Sequence, residues 1–362
     1  MFERFSIEVK PDAGAFIDLI AGRKKPQRVH YAELFLDGDV EAAIAKRFGL
    51  VKGLDPSAPF FELARRIKVQ RFLGYDYVYQ YHFAGLEFPR PTDSRTADTS
   101  QTEIVRKERA WVNEHRGPVT TWEEFEKYPW PKPGMFDTSS LEWLEKNLPD
   151  GMCMTSRAHS VFEELSWLMG LETLAFALYD TPDLVKAVAD RAGEIFLAAA
   201  RVHVQFDKMK FLFGGDDMGH KTATLVSPDD LRKYVLPWHR KIAEVSHEAG
   251  RPYVLHSCGN LEAIMPDLVE DVKIDGRHSY EDAIEPVESI YRRWGGKVAI
   301  LGGIDVDFLC RSSEEAIRGR VRKVLSGCHP GRYALGTGNS VANYIPIDNY
   351  LVMLDEGRKY SA

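Results

Sequence analysis

The sequence predicts an α/β protein built on a closed (β/α)8 TIM barrel. Three observations carry that prediction. From about residue 150, short apolar runs alternate with amphipathic helical patterns, an order that implies parallel strands joined by right-handed crossovers. At least seven such runs follow one another, and an eighth, RVHYAELF at residues 28–35, is available near the N-terminus. No GxGxxG turn follows the first strand, which argues against an open dinucleotide-binding sheet.

The elements follow in order along one expected domain, residues 1–362, in which 1–56 is an N-terminal extension. Residues 57–74 read as a helix with Ser57 as cap and Gly74 as stop. YDYVYQYHF (75–83) reads as an aromatic strand. The stretch of about 86–135 reads as an inserted hairpin and surface excursion, closed by the helix- and sheet-breaking prolines of KYPWPKP (127–133). MCMTSR (152–157) is the next strand, followed by a helix from Pro182 with Thr181 as its cap. KFLFGGDDMG (210–219) is a strand running into a loop. Residues 227–250 form a helix with a Ser-Pro start, and its Leu231, Val235, Trp238, Ile242 and Val245 share one face. The remaining strands are YVLHSCGN (253–260), IDGRHS (274–279), KVAILGGID (297–305) and RYALGTGNS (332–340). Helices are expected over 261–272, 285–296, 313–327 and 347–360.

Composition bounds the function. A hydrophobic content of 44% and a charged content of 28% are those of a soluble globular protein. The net charge of −7 argues against a nucleic-acid or acidic-membrane partner. No apolar run approaches the ~20 residues that span a bilayer, and the charged N-terminus lacks a signal-peptide core. A cytoplasmic location is the expectation. The four cysteines (Cys153, Cys258, Cys310 and Cys328) contain no CxxC pair and are too few to staple this chain.

A barrel of this kind places its chemistry at the C-terminal ends of its strands. The polar residues there are His82, Arg157, His159, Asp216, Asp217, His256, Cys258, His278, Asp305 and Asn339. His256 and Cys258 stand out, because residues two apart on a strand face the same side and imidazole plus thiolate is a Zn²⁺ donor pair. Asp216 and Asp217 point in opposite directions, so at most one of them faces the mouth. That one is expected to take up a proton, bind the metal or orient His256. Asn339 and Ser340, after Gly336 and Gly338, form a tight polar turn suited to ligand contact. The catalytic candidates are therefore Asp217, His256 and Asn339. The substrate-binding candidates are His82, Arg157, His159, Asp216, Asp305 and Ser340.

FGGDDMG (213–219), SPDDLRKYVLPWHRKI (227–242), HSCGNLEAIMPDL (256–268), VAILGGIDV (298–306) and IPIDNYLVMLDEG (345–357) resemble the uroporphyrinogen decarboxylase superfamily. The resemblance implies a (β/α)8 fold and one of two activities: tetrapyrrole decarboxylation, or corrinoid-dependent methyl transfer. The decarboxylases carry an Arg-rich RQAGRY-like segment, and RKKPQRVHYAELFLDGDV (23–40) lacks it. They also carry LGHG, where Thr337 here replaces the histidine. The methyltransferase branch is more similar at HSCGN, where its zinc-binding members use a His-x-Cys pair. This resemblance implies a small methylated donor, or a thiol or folate acceptor, and a separate corrinoid (cobalamin) protein as partner. It also allows a homodimer. The alternatives are a decarboxylase of a tetrapyrrole or other acid, and a barrel that binds a tetrapyrrole or corrinoid without turnover.

The resemblance implies a third zinc-binding cysteine in the last strand's loop, where this chain has Gly338 or Asn339. Three readings stay open. Zinc is held by His256, Cys258 and another mouth residue (His278 first, otherwise Glu163 or Asp217); the pocket holds substrate by hydrogen bonds without zinc; or Cys258 is simply packed.

Overall fold

Seven parallel strands curl around a common core in the order in which they occur in the chain, as a computed structural model shows. It describes residues 2–80, 84–90, 94–97, 108–111, 115–158 and 160–360, without the side chains of Arg157, Ala158 and the two short strands 94–97 and 108–111. The strands are β1 (Tyr77–Gln80), β4 (Cys153–Ala158), β5 (Met209–Gly215), β6 (Tyr253–His256), β7 (Gly276–His278), β8 (Ala299–Leu301) and β9 (Tyr333–Ala334). Between β1 and β4, β2 (Ser94–Ala97) and β3 (Glu108–Trp111) form an antiparallel pair inside the inserted segment.

The N-terminal segment supplies the eighth wall. Tyr31 and Leu36 bridge in parallel to Leu335 and Val341 beyond β9, and Ala32 N donates to Leu335 O at 2.9 Å. Towards β1 the seam is bridged by tyrosine hydroxyls. Glu33 N donates to Tyr77 Oη at 2.9 Å, and Tyr77 Oη donates to Glu33 O at 2.6 Å. Tyr79 Oη accepts from Leu36 N at 3.0 Å. These phenols, both 1% exposed, satisfy main-chain groups that a short strand would otherwise leave buried and unpaired.

Several local expectations shift. The helix expected from Ser57 begins at Phe61, because Ser57 is held in a turn by Asp55, and Gly74 ends it with φ 90°. The helix from Pro182 runs to His203 with no cap from the Thr181 side chain. The helix expected over 227–250 is two, Pro228–Tyr234 and Leu236–Glu248, broken where Pro237 removes a donor. Residues 261–272 form a 3-10 turn at Glu262–Ile264 and a π turn at Asp267–Asp271 instead of one α-helix. Among the described residues no helix is long and apolar enough to cross a membrane.

Candidate active site

The C-terminal ends of β5, β6 and β7 lie in register, Gly215 beside His256 and His256 beside His278. His256 is 3% exposed. One ring nitrogen, Nδ1, lies 2.7 Å from His278 Nδ1; the other, Nε2, lies 3.3 Å from Asp217 Oδ1 and 3.4 Å from Cys258 Sγ. Ser257 turns the other way, and its hydroxyl accepts from Met218 N at 3.1 Å.

Two loops lock this geometry. Asn260 N donates to His220 O at 2.7 Å, and Cys258 N donates to Asp217 Oδ1 at 3.0 Å. Gly259 has φ +79°, and a Cβ there would fall 2.2 Å from the carbonyl carbon of Gly219, so only glycine lets the loops meet. Asn339, from the loop after β9, donates through Nδ2 to Cys258 Sγ at 3.1 Å.

Asp217, His256 and Cys258 offer one carboxylate oxygen, one imidazole nitrogen and one sulfur, all within 4.8 Å of one another. That donor set suits Zn²⁺. Burial raises the Asp217 carboxyl, but hydrogen bonds from His256 and from Cys258, with the charge of His256, hold it well below the usual carboxylate range. Burial pushes the Cys258 thiol well up, the Asp217 charge adds to this, and the Asn339 hydrogen bond opposes it. His278, fully buried beside His256 and Arg277, is held well below the ordinary imidazole value and stays neutral.

His278, expected as a third ligand, stands apart from this cluster: its Nδ1 meets His256 Nδ1, the ring edge opposite the Nε2 that faces Cys258 and Asp217. Asp216, expected to bind substrate, is not among the residues that line the cavity onto which the centre opens. It is fully buried, accepts from Phe162 N at 2.9 Å and Glu163 N at 2.8 Å, and meets His239 Nε2 at 2.7 Å. His239 Nδ1 in turn meets Tyr253 Oη at 2.8 Å. Asp305 caps the helix Val306–Arg311 through Phe308 N at 3.0 Å and takes Asp282 N with its other oxygen. His82 and His159 lie outside the described residues, as does the side chain of Arg157.

The centre opens into a cavity of about 410 Å³ lined in part by Asp217, His256, Asn339, Ser340 and Glu163. Its far wall was missed in the sequence. Leu86, Glu87, Phe88 and Arg90 come from the segment read as an outlying excursion, and Glu164 and Trp167 come from the helix Val161–Met169. Ser160, Glu163, Glu164 and Trp167 have the i, i+3, i+4, i+7 spacing of one helix face, which was the available signal. Arg90 stacks 4.1 Å over Trp167 and donates to Glu164 Oε2 at 3.1 Å, while Glu164 Oε1 has no hydrogen-bond partner among the described residues. Burial pushes the Glu164 carboxyl up to about 8 against the pull of Arg90.

A family model, uroporphyrinogen decarboxylase (URO-D), matches residues 107–360, and the chain belongs to that family. A curated relative, the methylated-thiol–coenzyme M methyltransferase of Methanosarcina mazei, is 23% identical over 278 residues, 74% of this chain and 71% of that protein. A solved methyltransferase from Methanosarcina mazei superposes with a TM-score of 0.71 at 15% identity, covering 98% of this chain and all of the other. The fold is that of this TIM-barrel methyltransferase, and the curated relative at 23% identity is likewise a methyltransferase.

Proposed function

We propose that this enzyme moves a methyl group between a small methylated substrate, or a thiol or folate acceptor, and the cobalt of a separate corrinoid protein. The observation that carries the reading is the Asp217, His256 and Cys258 cluster, gathered at the catalytic end of the barrel and opening into a cavity sized for a small molecule. Likeness to methyltransferases of the same family supports it.

His256 Nε2, Cys258 Sγ and Asp217 would hold a Zn²⁺, which when bound supplies Lewis acidity to a substrate heteroatom and favours its thiolate. The chain prepares that donor set. For Nε2 to present a lone pair, His256 must carry its proton on Nδ1 and donate it to His278 Nδ1, which the neutral His278 accepts. Asn339 supports negative charge on Cys258 through Nδ2. The aromatic wall of Phe35, Phe88, Trp167 and Phe196 encloses an apolar body and keeps water from it.

Among the described lining residues, Glu87, Glu163, Glu164 and Asp217 stand against one arginine, and Arg90 is already paired to Glu164. That balance disfavours a tetrapyrrole with many carboxylates, and Thr337, where the decarboxylases carry histidine, is fully buried. The test is methyl exchange with cob(I)alamin and methylcobalamin across a panel of methylated donors and of thiol and folate acceptors, with zinc content measured in parallel. Exchange that Cys258→Ala abolishes supports the reading; no exchange with any pair overturns it.

A further inference from the structure

Glu33 is a buried carboxyl, 1% exposed, for which the barrel-wall role of its strand gives no use. It stands where the N-terminal strand meets the loop after β9. Gly336 permits that approach, since a Cβ there would lie 1.9 Å from Ala32 O and 3.1 Å from Glu33 Oε1. Both carboxyl oxygens meet Thr337: the backbone N donates to Oε1 at 2.7 Å, and Thr337 Oγ1 lies 2.6 Å from Oε2. Thr337 Oγ1 also lies 2.6 Å from the carbonyl oxygen of Asn339.

A hydroxyl has one proton. If Glu33 were ionised, Thr337 would face two pure acceptors with a single donor, and one of the two oxygen pairs would be in contact without a hydrogen. With a proton on Oε2 every contact is served. Oε2–H donates to Thr337 Oγ1, and Thr337 Oγ1–H donates to Asn339 O. The Asn339 side chain is oriented by the same logic, because Oδ1 takes Ser340 N–H at 2.7 Å and turns Nδ2 towards Cys258 Sγ.

We propose that Glu33 is a positioning residue, whose neutral carboxyl aims the Thr337 hydroxyl at the Asn339 carbonyl and so holds the Asn339 amide against the Cys258 sulfur. The groups whose charge is felt at Glu33 are the phenols Tyr75 and Tyr77 from β1, Tyr333 from β9 and Tyr350 from the helix Ile347–Tyr360. All four are pushed well above the ordinary tyrosine value and stay neutral, and a phenol could ionise only to an anion, so none of them offers Glu33 a positive partner. Burial accordingly pushes Glu33 up to about 8, against the Thr337 hydrogen bonds. The significance of Asn339 and Cys258 rests on the methyl-transfer reading; the proton on Glu33 does not.

Infrared spectra of the full-length protein from about pH 6 to about pH 9.5, wild type minus Glu33→Gln, test the proton directly. The expected signal is a protonated carboxylic-acid carbonyl band, missing in the variant and falling about tenfold or more in the wild type as pH rises. The second readout is the alkylation rate of Cys258 in a Cys310→Ser background. The glutamine amide keeps a donor towards Thr337 at every pH, so Glu33→Gln lacks a step that the wild-type profile shows, and Glu33→Ala, which loosens the Asn339 donor to the sulfur, reacts severalfold more slowly throughout. Absence of the acid band in the wild type, or identical alkylation profiles in wild type and Glu33→Gln, overturns the proposal. An intact band in a protein without methyl exchange supports the proposal and counts against the methyl-transfer reading alone.

Discussion

The adjacent aspartates Asp216 and Asp217 separate structure from chemistry, and exchanging each for asparagine and alanine tests the division. Asp216 is fully buried and receives three donors: Glu163 N on Oδ1, and Phe162 N with His239 Nε2 on Oδ2. An asparagine that keeps its oxygen at the Oδ2 place still serves Phe162 and His239 but turns an NH₂ towards Glu163 N–H. One stranded buried donor costs about 1–3 kcal/mol. Alanine strands all three and breaks a buried pair with His239, for a loss of about 3–5 kcal/mol, a fifth or more of a typical domain's ~5–15 kcal/mol. Asp217 has a side chain 39% exposed, so water replaces much of what its carboxylate gives, and its loss should cost about 1 kcal/mol or less. Urea midpoints measured in chelator, with circular dichroism to confirm folding, give the first comparison; zinc content after purification without chelator gives the second. The expected order of destabilisation is Asp216→Ala, then Asp216→Asn, then Asp217→Asn, and only the last loses zinc while keeping its midpoint. An Asp216→Asn protein with the wild-type midpoint, or an Asp217→Asn protein with stoichiometric zinc, refutes the assignment.

Other outcomes follow from the same geometry. Asn339→Ala removes the donor to Cys258 and should weaken zinc binding about 10–100-fold, read by competition with a chromophoric chelator, whereas Asn339→Cys should strengthen it. Trp167→Ala opens the cavity wall and frees Arg90, and should raise KM about tenfold with a smaller change in kcat. Tyr77→Phe leaves both the N–H and the C=O of Glu33 without their partner and should lower stability by about 2 kcal/mol in urea unfolding. Glu164, pushed from the ordinary 4.5 up to about 8, favours the folded state in its protonated form. Its contribution is complete below pH 4.5 and is lost as pH rises through about 8. Glu164→Gln should therefore gain on the wild type between pH 6 and pH 9, by at most about 3 kcal/mol at 1.36 kcal/mol per pH unit, in paired thermal melts.

The barrel could be read from the sequence because its cause is local. Each strand is a short apolar run and each helix an amphipathic period, and the register of parallel strands puts polar residues at one end. The same reasoning placed His256 and Cys258 on one side and allowed only one of Asp216 and Asp217 to face the mouth. It could not say which edge of a ring meets which neighbour. His278 does stand beside His256, as adjacent strands require, but it meets the nitrogen turned away from Cys258. Glu33 was invisible for a different reason: its partner Thr337 is 304 residues away, and no periodicity links them. The closure of the barrel by Tyr77 and Tyr79 was equally hidden, because a strand rich in tyrosine reads the same whether its hydroxyls reach solvent or a neighbouring main chain.

The missing third cysteine looks different once the bonded and the available groups are told apart. Asp216 is committed to His239 and two backbone donors, His278 to the inner edge of His256, and Thr337 to Glu33 and Asn339. These groups fix the ends of β5, β6, β7 and β9 relative to one another. Beside that frame His256 Nε2, Cys258 Sγ and a carboxylate oxygen of Asp217 lie within 4.8 Å of one another, and Asp217 and His256 line the cavity. A thiolate and a carboxylate carry two negative charges, the same total as two thiolates, so a divalent cation would be neutralised equally well by this set. On the methyl-transfer reading, Asp217, in the loop after β5, would then stand in for a cysteine after β9 without changing the charge of the centre. Asn339 would act on the sulfur from outside that donor set, through the hydrogen bond from its Nδ2.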